Sequence, residues 1–276
     1  MKTSGSFAKF MDYFKTDRLI GFSTGALARS DWRAGLNVCR SLGITAVELS
    51  ALRFSELGSL VLATRSLDVR GLDYVSVHLP SKFRREEELT VLRLVEQLLD
   101  RRWNLILHPD AIWDWSAWRT FGNLVCLENM DKRKPVGRTR EELQRAFDQL
   151  PYAGLCFDYG HARQVDPTMS QAARILVTFG QRLRQIHFSD VDSTNSHRGL
   201  NLPALMAFSR VRDIPLPVVP VILETLAEDV QAAGEQLMLA RMFFSVQATS
   251  RNNIPGAEHG NADEGCSASV GRGAYR

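Results

Sequence analysis

Short apolar runs recur along the chain, separated by longer segments in which apolar positions repeat with a helical period. The runs are apolar throughout rather than at every second position, which is typical of strands covered on both faces of a parallel sheet. These runs predict eight strands, over residues 19–23, 44–49, 74–77, 104–107, 124–127, 154–157, 183–186 and 218–223.

The segments that follow the runs carry helix signals. Residues 86–101 begin with acidic side chains and place Leu89, Leu92 and Val95 at helical spacing, while Thr139 and Glu142 form a capping box. Helices are predicted over residues 32–42, 55–66, 86–101, 113–121, 139–150, 170–179, 203–211 and 228–244. Eight strand–helix units in succession predict an α/β protein, a closed (β/α)8 TIM barrel.

The barrel is predicted to form a single domain over residues 19–246. Residues 1–18 are an N-terminal extension whose lysines and aspartates do not fit a secretory signal. Residues 247–276 are rich in Asn, Gly, Ser and Ala and are predicted to be a disordered tail, in which His259 has no role. Because eighteen apolar residues never follow one another, no membrane span is expected, and the predicted location is the cytoplasm.

Composition places the chain among ordinary globular proteins. With 276 residues, of which 45% are hydrophobic and 24% are charged, it can bury a large core. A formal net charge of +3 argues against a protein that coats nucleic acid. The cysteines show no CxxC spacing and are predicted to be free thiols in a reducing compartment. They are Cys39, Cys126, Cys156 and Cys266.

Titratable side chains gather where the predicted strands end. In a TIM barrel the C-terminal ends of all strands meet at one mouth, so side chains that follow the strands would point into one bowl. The Asp158-x-x-His161 pair supplies an oxygen and a nitrogen ligand from a single corner, although an Asp that caps the next helix is the alternative for this pair alone. The candidate metal ligands are His78, His108, Glu128, Asp158, His161, His187, His197 and Glu224.

Three carboxylates combined with several imidazoles suit zinc, manganese or iron better than calcium or magnesium, which prefer oxygen ligands. The set is too large for one ion, because a catalytic zinc ion usually takes three protein ligands. We therefore expect two or three divalent transition metals, with Glu128 or Glu224 as a bridging ligand. Such a cluster can generate a hydroxide nucleophile and stabilise the leaving oxygen of a phosphoester.

The ordered series of strand-end motifs resembles the xylose isomerase-like TIM barrel superfamily, which includes endonuclease IV and sugar phosphate isomerases and epimerases. The resemblance covers residues 19–245. The motifs are His78-Leu79-Pro80, His108-Pro109-Asp110, Glu128-Asn129, Asp158-Tyr159-Gly160-His161, His187-Phe188-Ser189-Asp190 and Ile222-Leu223-Glu224-Thr225.

The resemblance to endonuclease IV implies three metals. The first would be held by His78, His108 and Glu128. The second would be held by Glu128, Asp158, His187 and Glu224. The third would take His161 and His197, but Asn195, a weaker and neutral ligand, stands where the family has an aspartate. Asp190 or Asp192 is the alternative that would restore the charge.

Three functions remain open. The first is hydrolysis of a phosphoester, either a phosphodiester or a sugar phosphate, by a metal-bound hydroxide in a di- or trinuclear site. The second, implied by the isomerases and epimerases, is a one-metal reaction on a sugar or sugar phosphate, with Glu128 and Glu224 as catalytic acid and base. The third is an inactive barrel that serves as a binding module.

Cations in the loops near the mouth are predicted to bind the phosphate of a small phosphorylated or sugar substrate, with solvated loop charge as the alternative. A nucleic-acid substrate is possible but not favoured. The predicted substrate-binding residues are Lys82, Arg84, Lys132, Arg133 and Arg198.

Overall fold

The computed structural model describes residues 16–194 and 196–249, with side chains up to residue 245. Eight parallel strands close into a barrel in which each strand pairs with the next along the chain and the last pairs with the first. The predicted TIM barrel is confirmed. The strands are β1 (Ile20–Ser23), β2 (Ala46–Ser50), β3 (Tyr74–His78), β4 (Asn104–Leu107), β5 (Val125–Glu128), β6 (Gly154–Asp158), β7 (Leu183–Phe188) and β8 (Val221–Leu223).

Helices lie between the strands and cover the outside of the barrel. The α-helices are α1 (Thr24–Ala28), α2 (Trp32–Ser41), α3 (Phe54–Thr64), α4 (Glu88–Glu96), α5 (Trp115–Trp118), α6 (Arg140–Gln149), α7 (Tyr159–Val165), α8 (Ser170–Phe179), α9 (Leu202–Phe208) and α10 (Val230–Thr249). Short 3-10 turns are Arg85–Glu87, Leu99–Arg101, Pro109–Ala111, Arg119–Leu124, Gly180–Arg182 and Ser209–Val211.

The predicted boundaries differ from the structure in a few places. The last strand begins at Val221 rather than at residue 218. The guanidinium of Arg18 donates hydrogen bonds to the carbonyls of Pro217 and Val219, which precede this strand. The helices predicted over 86–101 and 113–121 are each divided into a short α-helix and 3-10 turns. Two five- to seven-residue helices, α1 and α7, start directly at strand ends and were not predicted.

Alternate strand residues face the inside of the barrel, as the geometry of parallel strands requires. Residues such as Val47, Leu127 and Phe157 face outward and belong to the large core between barrel and helices. Ile106, Cys126 and Cys156 form a separate small apolar cluster, at positions that alternate with that core. Several other interior positions nearby are polar, and Glu48, Ser76, Gln185 and His187 are fully buried.

The cysteines of the described chain, Cys39, Cys126 and Cys156, are buried free thiols, while Cys266 lies outside the described residues. Among the described helices, none has the length and apolar character needed to cross a membrane. The predicted tail over 247–276, including His259, lies almost entirely outside the described residues, as does most of the N-terminal extension.

Candidate metal centre

The carboxylate of Glu128, at the end of β5, lies at the centre of the barrel mouth and is completely buried. Its Oε2 atom lies 3.1 Å from Nε2 of His108 and 3.3 Å from Nε2 of His78. Its Oε1 atom lies 3.2 Å from Nδ1 of His161 and 3.2 Å from Nδ1 of His187. The two oxygens of one carboxylate therefore face two different pairs of imidazoles.

Two groups of side chains have the spacing of a metal site. In each group every residue offers one potential ligand atom, and these atoms all lie within 4.8 Å of one another. The first group is His78, His108 and Glu128. The second group is Glu128, Asp158, His187 and Glu224. Both groups are buried, and Glu128 belongs to both. The structure thus brings together six of the eight predicted ligands as two adjoining sites that share one carboxylate.

These groups fit divalent metal ions. Oδ2 of Asp158 is buried and has no hydrogen-bond partner among the described residues, while Oε2 of Glu128 makes no well-aligned hydrogen bond there and has two imidazole nitrogens 3.1 and 3.3 Å away. A buried carboxylate oxygen without a partner costs several kcal/mol unless a cation compensates it. Imidazole nitrogens combined with carboxylate oxygens are the donor set of zinc, manganese and iron sites.

Asp158 and His161 form the corner between β6 and α7. Oδ1 of Asp158 accepts a hydrogen bond from the backbone N–H of His161 and caps the helix, while Oδ2 of the same carboxylate has no such partner among the described residues. The capping interpretation of this motif and its role as a ligand donor are therefore compatible, because each can use a different oxygen. His161 is oriented by the carbonyl of Asn129, 3.0 Å from its Nδ1.

The predicted third site is only partly assembled among the described residues. The rings of His161 and His197 lie side by side, with centroids 5.6 Å apart, and Nε2 of His197 is 3.7 Å from Oε2 of Glu224. Asn195 lies outside the described residues. Asp190 binds Arg163 and Asn201, and Asp192 binds Arg198, so both aspartates have other partners.

The electrostatics of the cluster favour added positive charge. Burial acts to raise the pKa of Glu128, but His187 and His108 outweigh it and hold that pKa well below its ordinary value. Burial raises the pKa of Asp158 to about 6 and also raises the pKa of Glu224. Buried carboxylates with raised pKa values show that the existing cations do not fully compensate their charge.

The imidazoles differ in their proton affinity. Burial acts to lower the pKa values of His78 and His161, but neighbouring carboxylates raise them to about 9 and about 10. Burial instead lowers the pKa of His197 to about 4, so this ring is neutral and ready to bind a metal near pH 7.

A cavity of about 320 Å³ opens onto the cluster. Of the five predicted substrate-binding cations, Arg133 lines this cavity, whereas Lys82, Arg84, Lys132 and Arg198 are not among its described lining residues. Arg84 pairs with Glu86 and Glu87, and Arg198 pairs with Asp192. Two further cations, Arg29 and Lys134, line the cavity, and Lys134 also binds Asp110 at 2.9 Å.

Sequence reasoning missed two polar residues beneath the site, Glu48 and Gln185. Glu48 lies in the middle of β2 between Val47 and Leu49, and its carboxylate is 3.1 Å from Nε2 of His187. A charged side chain in the middle of a strand that is buried on both faces is the signal that would have identified it, because such a charge requires a partner.

No protein-family model and no curated protein sequence matches the chain. Solved structures do match. Endonuclease IV from Thermus thermophilus is 16% identical over 81% of this chain and 98% of that chain, with a TM-score of 0.55. The apo form of 3-keto-D-glucoside 4-epimerase from E. coli is 15% identical over 82% and 99%, with a TM-score of 0.53.

A third match is a xylose isomerase-like TIM barrel protein from Mycobacterium smegmatis in complex with magnesium. It is 12% identical over 84% of this chain and 98% of that chain, with a TM-score of 0.55. At such low identities the likeness establishes the fold and not the reaction. The resemblance predicted from the strand-end motifs is thereby confirmed at the level of architecture, and the chain has the xylose isomerase-like TIM barrel fold.

Proposed function

We propose that this chain is a divalent-metal-dependent enzyme that hydrolyses a phosphoester, with two metal ions sharing the carboxylate of Glu128. One observation carries the proposal: Oε2 of Glu128 faces His78 and His108, while Oε1 of the same carboxylate faces His187. A carboxylate with ligands on both sides is the arrangement that bridges two ions in hydrolytic sites.

A one-metal enzyme does not require the first group for metal binding. The four ligands of the second group suffice for a single ion, so His78 and His108 would there have no metal to bind. The two residues are only 4% and 7% exposed, and both Nε2 atoms are directed at Oε2 of Glu128. Two imidazole nitrogens that converge on one carboxylate oxygen form a donor set suited to a divalent transition metal.

Each side chain has a definite task in this proposal. Metal ions held by the two groups would supply an activated water as nucleophile and would neutralise charge on the phosphoryl oxygens. Arg133 and Lys134, on the cavity wall, would hold the substrate phosphate. Glu224 lines the cavity and lies 3.3 Å from Nδ1 of His187, so it would be a ligand of the second group that also faces the substrate.

The size of the cavity favours a small substrate. A volume of about 320 Å³ is at the lower end of ligand pockets and fits a sugar phosphate or a small phosphodiester. Several cations of the rim are paired with carboxylates, and the net charge is only +3. Both observations weigh against a nucleic-acid duplex as the substrate, although one structural match is named an endonuclease.

The experiment is a metal count combined with an activity screen. Purified protein is analysed for bound zinc, manganese and iron, and is then tested for phosphate or alcohol release from sugar phosphates and phosphodiesters. We expect two metal equivalents per chain and phosphoester hydrolysis. His78→Ala should abolish hydrolysis and remove one equivalent, whereas His259→Ala, a matched histidine control outside the described residues, should change neither.

The second candidate is a sugar or sugar-phosphate isomerase or epimerase that uses Glu128 and Glu224 as acid and base. The observation in its favour is that Glu128, Asp158, His187 and Glu224 form a complete four-ligand group by themselves. One metal equivalent, interconversion of sugar isomers, and activity that survives His78→Ala would establish this candidate instead. A chain that binds no divalent metal would support the third function, an inactive binding module.

A further inference from the structure

Glu48 is a buried carboxylate that belongs to neither metal-ligand group. It lies on β2 inside the barrel and is completely buried. It contacts Nε2 of His187, whereas Glu128 and Glu224 contact the other ring nitrogen. Its Oε2 atom lies 3.1 Å from Nε2 of His187, 2.6 Å from Nε2 of Gln185 and 3.2 Å from Oγ of Ser76. Three polar groups therefore converge on one oxygen of Glu48.

A hydrogen bond from Tyr74 fixes the position of Gln185. The hydroxyl of Tyr74 donates to Oε1 of Gln185 at 2.6 Å, and Nδ2 of Asn104 donates to the hydroxyl of Tyr74 at 2.9 Å. These contacts direct the amide oxygen of Gln185 toward Tyr74 and its nitrogen toward Glu48. A chain of hydrogen bonds thus sets the position of the Glu48 carboxylate.

His187 presents one ring nitrogen to each side. Its Nδ1 lies 3.2 Å from Oε1 of Glu128 and 3.3 Å from Oε2 of Glu224, whereas its Nε2 faces Glu48. A histidine that binds a metal through one nitrogen commonly donates the other N–H to a carboxylate, which fixes the orientation of the ring. The geometry of His187 and Glu48 meets this description.

We propose that Glu48 is a positioning residue for the second metal group. Its carboxylate accepts a hydrogen bond from the Nε2–H of His187 and thereby holds Nδ1 toward Glu128 and Glu224. The proposal rests on the proposed two-metal centre and deepens it, because a residue that is not itself a ligand would strengthen the binding of one metal.

The two metal groups differ in how their histidines are oriented. His78 uses its Nδ1 to contact the carbonyl of Leu79 at 2.8 Å, so its ring is held by the backbone. His187 is instead held by the side chain of Glu48. Removing the carboxylate should therefore weaken the group that contains His187 and leave the group that contains His78 and His108 intact.

The test is zinc binding by the full chain, measured against competing chelators so that each binding step is resolved. Wild type should bind two equivalents, and His108→Ala should lose the step that belongs to the first group. In Glu48→Gln the amide oxygen can still accept from Nε2–H, but the negative charge that makes the carboxylate a strong acceptor is lost, and the other step should weaken about 10- to 100-fold. Ser76→Ala removes a different side-chain contact to the same oxygen, that of Oγ at 3.2 Å, and should leave both steps unchanged.

Several outcomes overturn the proposal. Unchanged zinc affinity in Glu48→Gln would contradict the positioning role. Equal weakening of both binding steps in Glu48→Gln, or the same weakening in Ser76→Ala, would also contradict it, because a general packing effect would then explain the loss. Wild type that binds one zinc ion or none would overturn the two-metal centre itself, which separates that failure from a failure confined to Glu48→Gln.

A second measurement needs no variant and applies even if Glu48→Gln does not fold. Nitrogen-15 NMR of zinc-loaded wild type, labelled at histidine, reports which ring nitrogen of His187 carries hydrogen. We expect hydrogen on Nε2 and zinc on Nδ1. Hydrogen on Nδ1 would overturn the proposal, because Nε2 would then accept from the amide of Gln185, 2.8 Å away, and Glu48 would accept nothing from the ring.

Discussion

Asn129 binds both backbone groups of Asp158: its Oδ1 accepts from the N–H at 2.7 Å, and its Nδ2 donates to the carbonyl at 2.8 Å. Asn129 directly follows Glu128, so this pair of hydrogen bonds joins the ends of β5 and β6. The relative positions of the carboxylates of Glu128 and Asp158 are thus fixed by a neighbouring amide and not only by the strands.

Asn129→Ala is predicted to destabilise the protein and to weaken metal binding. Two buried backbone groups of Asp158 would lose their partners, at a cost of about 2–4 kcal/mol in the free energy of unfolding. Urea denaturation with and without a chelator measures the loss. Asn123→Ala, at an exposed position, is the matched control and should stay within about 0.5 kcal/mol of wild type. Equal stability of the two variants would contradict the role of Asn129.

Gly160→Ala is predicted to displace α7 from the strands that follow it. A Cβ atom at residue 160 would lie 2.6 Å from Cγ2 of Val191 and 2.8 Å from the carbonyl oxygen of Ser189, so the helix start must move. We expect a loss of about 1–3 kcal/mol, typical of overpacking. Weaker metal binding through Asp158, whose carboxylate caps α7, should accompany this loss.

The control for this substitution is Gly58→Ala in α3, where an added Cβ meets nothing within 4 Å. That change should be neutral or should stabilise the protein by up to about 1 kcal/mol, since alanine favours a helix. Thermal unfolding of both variants separates a steric effect at residue 160 from a general effect of removing glycine. The changes in stability of the two variants should have opposite signs or clearly different sizes.

Metal uptake is predicted to release protons. Near pH 7 the metal-free protein holds His78 and His161 largely protonated, because their pKa values are raised to about 9 and about 10. Their charge stabilises the metal-free fold fully below about pH 6.5, and this contribution is lost as the pH rises through 9 to 10. Metal ions require neutral imidazoles, so metal affinity should increase with pH over this range.

Calorimetry in two buffers of different ionisation enthalpy measures this proton release directly. Among the ligands of the two groups, the pKa of His78 is raised to about 9 and that of His187 well above its ordinary value, so loading at pH 7.5 should release more than one proton per chain, and His78→Gln should release fewer than wild type. A metal affinity that falls between pH 6.5 and 9, or an enthalpy that is the same in both buffers, would contradict the assignment of His78 and His187 as ligands that compete with protons.

The thiols of Cys39, Cys126 and Cys156 are predicted to be unreactive in the folded protein. Their side chains are completely buried, and burial raises the pKa values of Cys39 and Cys126 to about 12 and that of Cys156 well above its ordinary value. Alkylation at pH 8, followed by mass spectrometry, should modify these residues only after denaturation in urea. Modification of any of the three in the native protein would show that the barrel opens locally.

The candidate site was predictable from sequence to the extent that strand ends define it. A parallel barrel brings the C-terminal ends of all its strands to one mouth, so His78, Glu128 and Glu224 meet there although nearly 150 residues separate the first from the last. Their positions follow from topology alone, and no side-chain detail was needed to expect that they lie together.

The polar residues beneath the predicted ligands and the loop cations around the cavity were harder to predict. Glu48 and Gln185 meet only because β2 and β7 face each other across the barrel, a relationship that no spacing along the chain expresses. The loop cations depend on local pairing: Arg84 turns to Glu87 and Arg198 to Asp192, away from the cavity. Short helices such as α7 have too few residues to show a period, so the sequence pattern did not indicate them.

The shared carboxylate of Glu128 also limits how proteins of this architecture can diverge. Substitution of Glu128 would disable both ion sites in one step and leave no working intermediate. Substitution of His78 or His108 would empty one site and leave the four ligands of the other in place. A lineage that moves from two-ion to one-ion chemistry on such a scaffold can therefore lose these two histidines and still keep a complete group for one ion, although the two-ion reaction ends with them.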